Sequence, residues 1–353
     1  MIPARMKAVL LLGHGGFEQL QLRDDVPVPV PQAGEVLIRV GAAAVNNTDI
    51  NTRIGWYSKS VEGATDAVTE AAGASDDGAW TGTALGFPRI QGTDACGRIV
   101  AVGHGVPTQR LGERVLVDPV LRPIGAPAGY FASECNGAFA EYTCAPAENA
   151  FRVDSALTDV ELASFPCSYS TAENLLGRSH VGRDQIVLVT GASGGVGSAA
   201  VQLARRRGAT VIALADPSKA EQVRRLGAAR VLGRSADLVA ELGPESVNVV
   251  IDVVGGSQFP ALLEVLKRGG RYAVSGAIAG PIVSLDLRTL YLKDLQLIGG
   301  TIQDRDVFGH LIGYIERSEI QPLVAASYPL AEICAAQEAF LAKRHVGKIV
   351  LVP

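Results

Sequence analysis

Apolar and polar positions divide the chain into two rhythms. Up to about residue 150, short apolar runs broken by Pro and Gly recur at 8–12, 35–40, 97–102, 114–117 and 138–143, a pattern that predicts a compact β-rich domain. From about residue 155 the order becomes strand, helix, strand, helix, with strands at 186–190, 210–214, 231–232, 247–252, 270–275 and 295–299. That alternation predicts a doubly wound parallel sheet, because parallel neighbours need crossover helices. Beyond Thr301 mixed elements return and end in Gly347-Lys-Ile-Val-Leu-Val352, a tail expected to rejoin the first domain. The expected division is therefore 1–154 with 301–353 for the β-rich part and 155–300 for the parallel sheet. Residues 58–85 stand apart. They are rich in Ala, Gly, Ser and Thr, carry Glu62, Asp66, Glu70, Asp76 and Asp77 against Lys59, and read as a loop insertion, either a lid or a solvated excursion.

Within the second rhythm, Ile186-Val-Leu-Val189 suits a buried parallel strand and Ala199-Ala-Val-Gln-Leu-Ala204 a helix packed on it. Between them lies Gly191-Ala-Ser-Gly-Gly-Val-Gly197. Small residues let a backbone approach a pyrophosphate, and the N–H groups of Gly195 to Gly197 would face it at the positive end of the helix dipole. Gly194 and Gly197 fill the second and third glycine places of the G-x-G-x-x-G fingerprint, while Ala192 holds the first. A second strand, Thr210-Val-Ile-Ala-Leu214, follows with a polar end where ribose recognition belongs. The segment therefore reads as a dinucleotide phosphate turn.

Composition narrows the class. The 353 residues are 48% hydrophobic and 19% charged, enough for two α/β domains with their own cores. A net charge of −4 provides no basic field for nucleic acid, and Arg205-Arg-Arg207 reads as a solvated helix end. No apolar run approaches a membrane span, and the opening residues lack a signal-peptide h-region, so a cytoplasmic location is expected. The five cysteines form no C-x-x-C pair, and the five histidines no H-E-x-x-H.

Several segments resemble, in order and spacing, the medium-chain dehydrogenase/reductase superfamily and its zinc-free quinone oxidoreductase branch. They are Met6-Lys-Ala8, Pro31-x-x-Gly-Glu-Val-Leu-Ile-Arg39, Asn46-Asn-Thr-Asp49, Gly92-Thr-Asp-Ala-Cys-Gly97, Gly112-Glu-Arg-Val115, Gly137-Ala-Phe-Ala-Glu-Tyr142, the glycine turn, Asp252-Val-Val-Gly-Gly256 and Gly347-Lys-Ile-Val-Leu351. The resemblance implies an α/β chain made of a GroES-like catalytic domain and a Rossmann domain inserted into it. It also implies an active site in the cleft between the two, and a homodimer formed through the Rossmann sheets.

In zinc alcohol dehydrogenases of this superfamily the catalytic ligands are Cys, His and Cys. Carried onto this chain, their places fall at Asn46, Thr93 and Cys167, and only the last keeps a ligand type. Between Asp118 and Glu148 the structural-zinc lobe reduces to Cys135 and Cys144. No metal is expected, and Cys167 reads as a small buried residue near the cofactor. Without a Lewis acid an alcohol is a poor hydride donor, whereas a quinone or an enone needs only hydrogen-bond donors at its oxygen. The resemblance then points to Asn46, Asp49 and Tyr57 as catalytic-site residues. Asn51 departs from the branch, which often has tyrosine there, and Asp49 with Arg53 is expected to form a structural ion pair.

For the cofactor the signals conflict. Asp216 argues for NADH, whereas Ser218, Lys219 and the alanine-started fingerprint argue for NADPH, and the balance favours NADPH. Asp216-Pro-Ser218 is also ordinary N-cap punctuation. By position, the remaining cofactor contacts are Thr171, Ala192, Ser193, Gly194, Gly195, Val196, Val254, Gly255, Ser275, Gly276, Gly300, Thr301 and Lys348, although Lys348 also reads as a surface residue opening the last strand. The leading expectation is a zinc-independent NADPH-dependent reductase of a small quinone or α,β-unsaturated carbonyl compound. A zinc alcohol dehydrogenase and a cofactor-binding regulator without turnover stay open.

Overall fold

The computed structural model describes residues 1–65 and 77–353. It is an α/β chain whose described residues form two compact units, one of residues 1–61, 77–167 and 308–353, the other of residues 62–65 and 168–307.

The first unit is the β-rich one. Its long strand Glu35–Ala44 is antiparallel to Cys96–Val102 and Tyr142–Pro146 and, at its far end, to the C-terminal strand Lys348–Val352. Pairing of Val350 with Ala44 and of Leu351 with Ala43 brings the chain's last strand back to its first domain. Val36, Ile38, Ile99, Val115, Phe139, Ile349 and Leu351 are buried together beneath these strands. Full burial of each large side chain contributes roughly 1.5–3 kcal/mol. A smaller sheet sets Arg5–Leu11 between Leu20–Pro27 and Arg89–Ile90.

The second unit carries the parallel sheet. Its six strands, Ile186–Val189, Thr210–Leu214, Arg230–Leu232, Val247–Asp252, Leu266–Val274 and Gln296–Gly299, lie in the order third, second, first, fourth, fifth, sixth. The order reverses between the first and fourth strands, and that switch point is where a doubly wound sheet opens its crevice at the carboxyl ends. Val187, Leu188, Val189, Val249, Val250 and Ile251 are fully buried there, as a strand covered on both faces requires. No helix among the described residues is long and apolar enough to cross a membrane.

Some expectations shift. The chain passes into the second unit at Ser168 rather than 155, because the short helix Asp159–Leu162 packs against the strand Glu35–Ala44 and so stays with the first unit. On the way back it leaves that unit at Val307, not 300. The strand expected at 138–143 begins only at Tyr142, since Ala138 and Phe139 give their N–H groups to Gly92 and Gln91. Gly92 at φ +102° makes room for the Phe139 ring. Leu20–Pro27 and Val324–Pro329 are strands that the apolar pattern does not reveal, being largely exposed along their length. Of the expected insertion at 58–85, residues 66–76 lie outside the described residues, and the described flanks hold neither helix nor strand.

Candidate active site

In the second unit the glycine turn joins the first strand to the helix Gly195–Arg206. Gly191 adopts φ +57°, and Ala192 donates its N–H to the Leu214 carbonyl at 3.0 Å, fixing the turn against the end of the second strand. The first helical hydrogen bond runs from Ser198 N to Gly194 O at 2.9 Å. The N–H groups of Gly195, Val196 and Gly197 therefore precede the helical ladder and are available to an anion. A Cβ on Gly197 would run into the Gly191 carbonyl and stand 2.8 Å from the Ala192 Cα, so this glycine is needed for helix and strand to approach. Ser193 is half-buried and Gly194 exposed.

A buried carboxylate whose role no sequence pattern reveals organises the neighbouring strand ends. Asp252, fully buried at the end of the fourth strand, accepts from Thr190 Oγ1 at 2.5 Å, Val254 N at 2.8 Å and Gly255 N at 3.1 Å, and from the Tyr272 hydroxyl. Burial and the Asp252 charge push the Tyr272 phenol upward, so it remains a donor. This clamp shapes the turn at Val254 and Gly255, where Gly255 has φ +66°. Ser275 and Gly276 follow the fifth strand and Gly300 and Thr301 the sixth, all at carboxyl ends. Thr171 is half-buried on the helix Pro166–Arg178. Asp216 caps the short helical turn Pro217–Lys219 by accepting from Ser218 N at 3.0 Å, as the N-cap reading requires.

In the first unit, Asn46 precedes the helix Asn47–Arg53, and Asp49 accepts from Asn46 N at 2.8 Å and from Gly92 N at 3.2 Å. Burial raises the Asp49 carboxyl to about 7 against the pull of those N–H groups. The expected pair with Arg53 does not form. Arg53 turns to Gln337 Oε1 at 3.0 Å and Gly15 O at 2.8 Å and lies 4.6 Å from the Phe17 ring centre, while Asp49 is held by backbone donors on the other side. The Tyr57 hydroxyl donates to Thr48 Oγ1 at 3.0 Å, and burial raises its pKa to about 12, so it stays protonated. Trp56 meets the Tyr57 ring edge-on at 5.9 Å.

Lys348 is not at the surface. It is buried, its ammonium 2.8 Å from Asp94 Oδ2, and it donates to Asn46 Oδ1. Asn46 Nδ2 completes the ring by donating to Asp94 at 2.9 Å, and Asp94 Oδ1 accepts from Cys167 N at 2.6 Å. The Cys167 sulfur lies 3.3 Å from the Tyr130 hydroxyl, and Trp80 stacks on Tyr130 at 4.6 Å. Burial and then the Asp94 charge push the Cys167 thiol up to about 12.

These contacts bear on a metal. Of the three zinc-ligand places, Asn46 has its amide oxygen taken by an ammonium, Thr93 is a buried hydroxyl, and only Cys167 supplies a donor of the kind zinc prefers. A resident cation stands against Asn46, and like charge repels a dication. The residues present do not fit zinc.

Comparison with known proteins agrees with the fold. Residues 32–155 match the family described as alcohol dehydrogenase GroES-like domain, and residues 195–317 the family described as zinc-binding dehydrogenase. The chain is 30% identical to the acryloyl-coenzyme A reductase of Metallosphaera sedula, covering 98% of this chain and 99% of that one. It is 27% identical to the quinone oxidoreductase of Rattus norvegicus, covering 98% of each. A crystal structure from Sinorhizobium meliloti 1021, provisionally assigned as an alcohol dehydrogenase, superposes with a TM-score of 0.89 at 47% identity, covering 100% of this chain and 98% of that one.

Proposed function

The chain belongs to the medium-chain dehydrogenase/reductase superfamily, in its quinone oxidoreductase-like branch, and from that premise we propose a zinc-independent, NADPH-preferring reductase of quinones or α,β-unsaturated carbonyl compounds. That it is an oxidoreductase follows from the family. The observation that carries the finer reading is the Lys348 ammonium, bound to Asn46 and Asp94 where the zinc enzymes of the superfamily hold their metal. The relatives named for acryloyl-coenzyme A and for quinone both reduce conjugated acceptors, which supports the same substrate class.

Bound NADPH supplies a hydride from nicotinamide C4. The chain's own part is to hold and to polarise. The first-turn N–H groups of Gly195, Val196 and Gly197 take the pyrophosphate, and the Asp252 clamp keeps the turn at Val254 and Gly255 in shape. Ser193, Gly194, Thr171, Ser275, Gly276 and Thr301 are proposed to complete the cofactor's surroundings. Tyr57, protonated at every physiological pH, is the donor proposed for the acceptor's oxygen, its O–H turning there from Thr48 Oγ1, to which it donates in the structure. Asn46 and Asp49 have their polar atoms committed to protein partners and act as positioning residues.

A homodimer and a cytoplasmic location are part of the same proposal. The sixth strand is an open edge of the parallel sheet, and Leu287, Tyr291, Leu292 and Leu297 on and beside it are exposed, which favours pairing with a second copy. The test is metal analysis of the purified protein followed by NADPH oxidation with a panel of quinones, enones and an unsaturated thioester. Zinc at one per chain, or no turnover with any acceptor, refutes the reading.

A further inference from the structure

Tyr130 stands beside Cys167 in the first unit, and its backbone is fixed on both sides. Gly129–Tyr130 pairs with Val120–Leu121, Tyr130 N donates to Glu134 Oε2 at 2.6 Å, and the Tyr130 carbonyl accepts from Ser133 N at 3.0 Å. Trp80 covers the ring, stacked at 4.6 Å with 22° between the planes. It is tied to the same turn, because its backbone N–H donates to Ser133 Oγ at 3.3 Å and Thr81 Oγ1 donates to Glu134 Oε1 at 2.8 Å. Val120 and Cys167 are buried against the ring. The ring is therefore held in place, and the proton of its hydroxyl is what can turn.

That hydroxyl meets the Cys167 sulfur at 3.3 Å. Sulfur is a weak hydrogen-bond partner, so a hydroxyl that turns from it to a negatively charged oxygen exchanges a weak bond for a charge-assisted one. Tyr57 shares the neighbourhood, since a charge on Cys167 acts on both phenols and a charge on Tyr57 acts on Tyr130. Burial pushes both phenols upward, and both stay protonated. The Asp94 carboxylate would oppose an anion here, but the Lys348 ammonium neutralises it at 2.8 Å.

We propose that Tyr130 is a second catalytic donor, its hydroxyl and that of Tyr57 together receiving the acceptor's oxygen, with Trp80 as the positioning residue that holds the Tyr130 ring; the inference rests on the reductase reading above. For an enone, hydride forms a C–H bond at the β-carbon, the carbon–carbon π pair moves to the adjoining bond and the carbonyl π pair moves onto oxygen. NADPH becomes NADP+ and the acceptor an enolate, whose charge the two O–H groups bind without giving up their protons. The carbon next to the carbonyl then takes a proton from solvent.

The test uses the whole protein and two readouts, binding of 4-nitrophenolate, whose anionic oxygen imitates the enolate, and steady-state reduction of an enone. Tyr130→Phe removes one oxygen and keeps the ring. It is expected to bind the phenolate about tenfold more weakly and to lower kcat about 10–100-fold, with NADPH affinity within about twofold, which also shows that the variant is folded. Tyr130→Phe combined with Tyr57→Phe should bind the phenolate more weakly than either single variant. Trp80→Ala should lower both readouts and Trp80→Phe, which can still stack, should restore them, whereas a purely structural Trp80 would move the unfolding temperature alone. If the wild type reduces enones and Tyr130→Phe keeps either readout unchanged, Tyr130 is not a catalytic donor, although the reductase reading stands. A wild type that reduces enones without binding the phenolate likewise overturns the paired donors alone. A wild type that reduces no acceptor overturns the reductase reading and this inference together.

Discussion

Replacing Lys348 by Met keeps most of the stem's volume and removes one buried charge. The ammonium lies 2.8 Å from Asp94 Oδ2, with side-chain exposures of 3% and 0%. At that distance and an effective dielectric constant of about 20 the attraction is about 6 kcal/mol. Desolvation of two ions opposes it by several kcal/mol each, so the pair adds little net stability, but losing one partner strands the other. Lys348→Met leaves Asp94 with Cys167 N and Asn46 Nδ2, and leaves Asn46 Oδ1 without its donor. The expected loss is about 3–5 kcal/mol. Asp94→Asn should cost a similar amount, because its amide nitrogen would replace an acceptor facing the Asn46 amide and the ammonium. The double variant should then lose less than the sum, by about 2 kcal/mol, as expected for groups in direct contact. Denaturant unfolding followed by tryptophan fluorescence measures this, since Trp56 and Trp80, the chain's two tryptophans, both lie in the first unit. Strictly additive costs, or single costs below about 1 kcal/mol as for a solvated pair, would refute the buried-cation argument.

Four further outcomes are expected. Tyr57→Phe should lower kcat about 10–100-fold with little change in NADPH affinity, as for loss of one oxyanion donor, and an unchanged kcat in steady-state assays would remove Tyr57 from the site. Gly197→Ala should destabilise the second unit by about 1–3 kcal/mol, through overpacking, and weaken NADPH binding, read by calorimetry and thermal unfolding. Asp49 has a folded pKa of about 7 against 3.8 for the unfolded chain, so the native state keeps a proton that the unfolded state releases. Its contribution to stability therefore falls by about 1.4 kcal/mol for each pH step of one as pH rises from about 4 to about 7, and is constant above. Asp49→Asn, which cannot ionise, should lack that fall, and parallel stability curves for wild type and variant over about pH 4 to 7.5 would count against it. Light scattering should find a dimer for the wild type and a monomer for Leu297→Lys combined with Tyr291→Glu, whereas a monomeric wild type defeats the edge-strand proposal.

What can be read from the sequence depends on how local the cause is. The first, second and fourth parallel strands are legible because burial on both faces demands unbroken apolar runs, and Val187 to Val189 and Val249 to Ile251 supply them. The glycine turn is legible because steric need for glycine at 197 is set by residues only a few positions away. Leu20–Pro27 escapes because an edge strand with one thin buried flank has no reason to alternate cleanly. Lys348 escapes for a different reason. A lysine opening a strand looks solvated, and its partner Asp94 is distant in the chain and becomes its neighbour only when the last strand pairs with Glu35–Ala44. Arg53 misleads likewise, since helical spacing puts it within reach of Asp49 but the backbone N–H groups of Asn46 and Gly92 claim that carboxylate first. Arg234 carries no motif at all. It meets Asp216 only because the third strand lies beside the second in the sheet.

On the proposed zinc-independent reading, the Lys348 ammonium limits which reactions the first unit can assist. A dication with an open position accepts an alkoxide as a ligand and lowers the pKa of the alcohol that forms it. The Lys348 ammonium carries half that charge, and it already serves Asn46 and Asp94, so it cannot take a substrate oxygen without breaking a buried ion pair. The acceptor proposed is accordingly one whose oxygen needs hydrogen bonds rather than coordination. A conjugated carbonyl meets that condition, because hydride arrives at carbon while charge spreads onto an oxygen several bonds away. Tyr57, raised to about 12 by burial, is suited to that oxygen as a donor and unsuited to act as a base at neutral pH. The proton that completes reduction at carbon is proposed to come from solvent. Reduction in deuterium oxide should accordingly place deuterium at the carbon next to the carbonyl and none at the carbon that receives hydride.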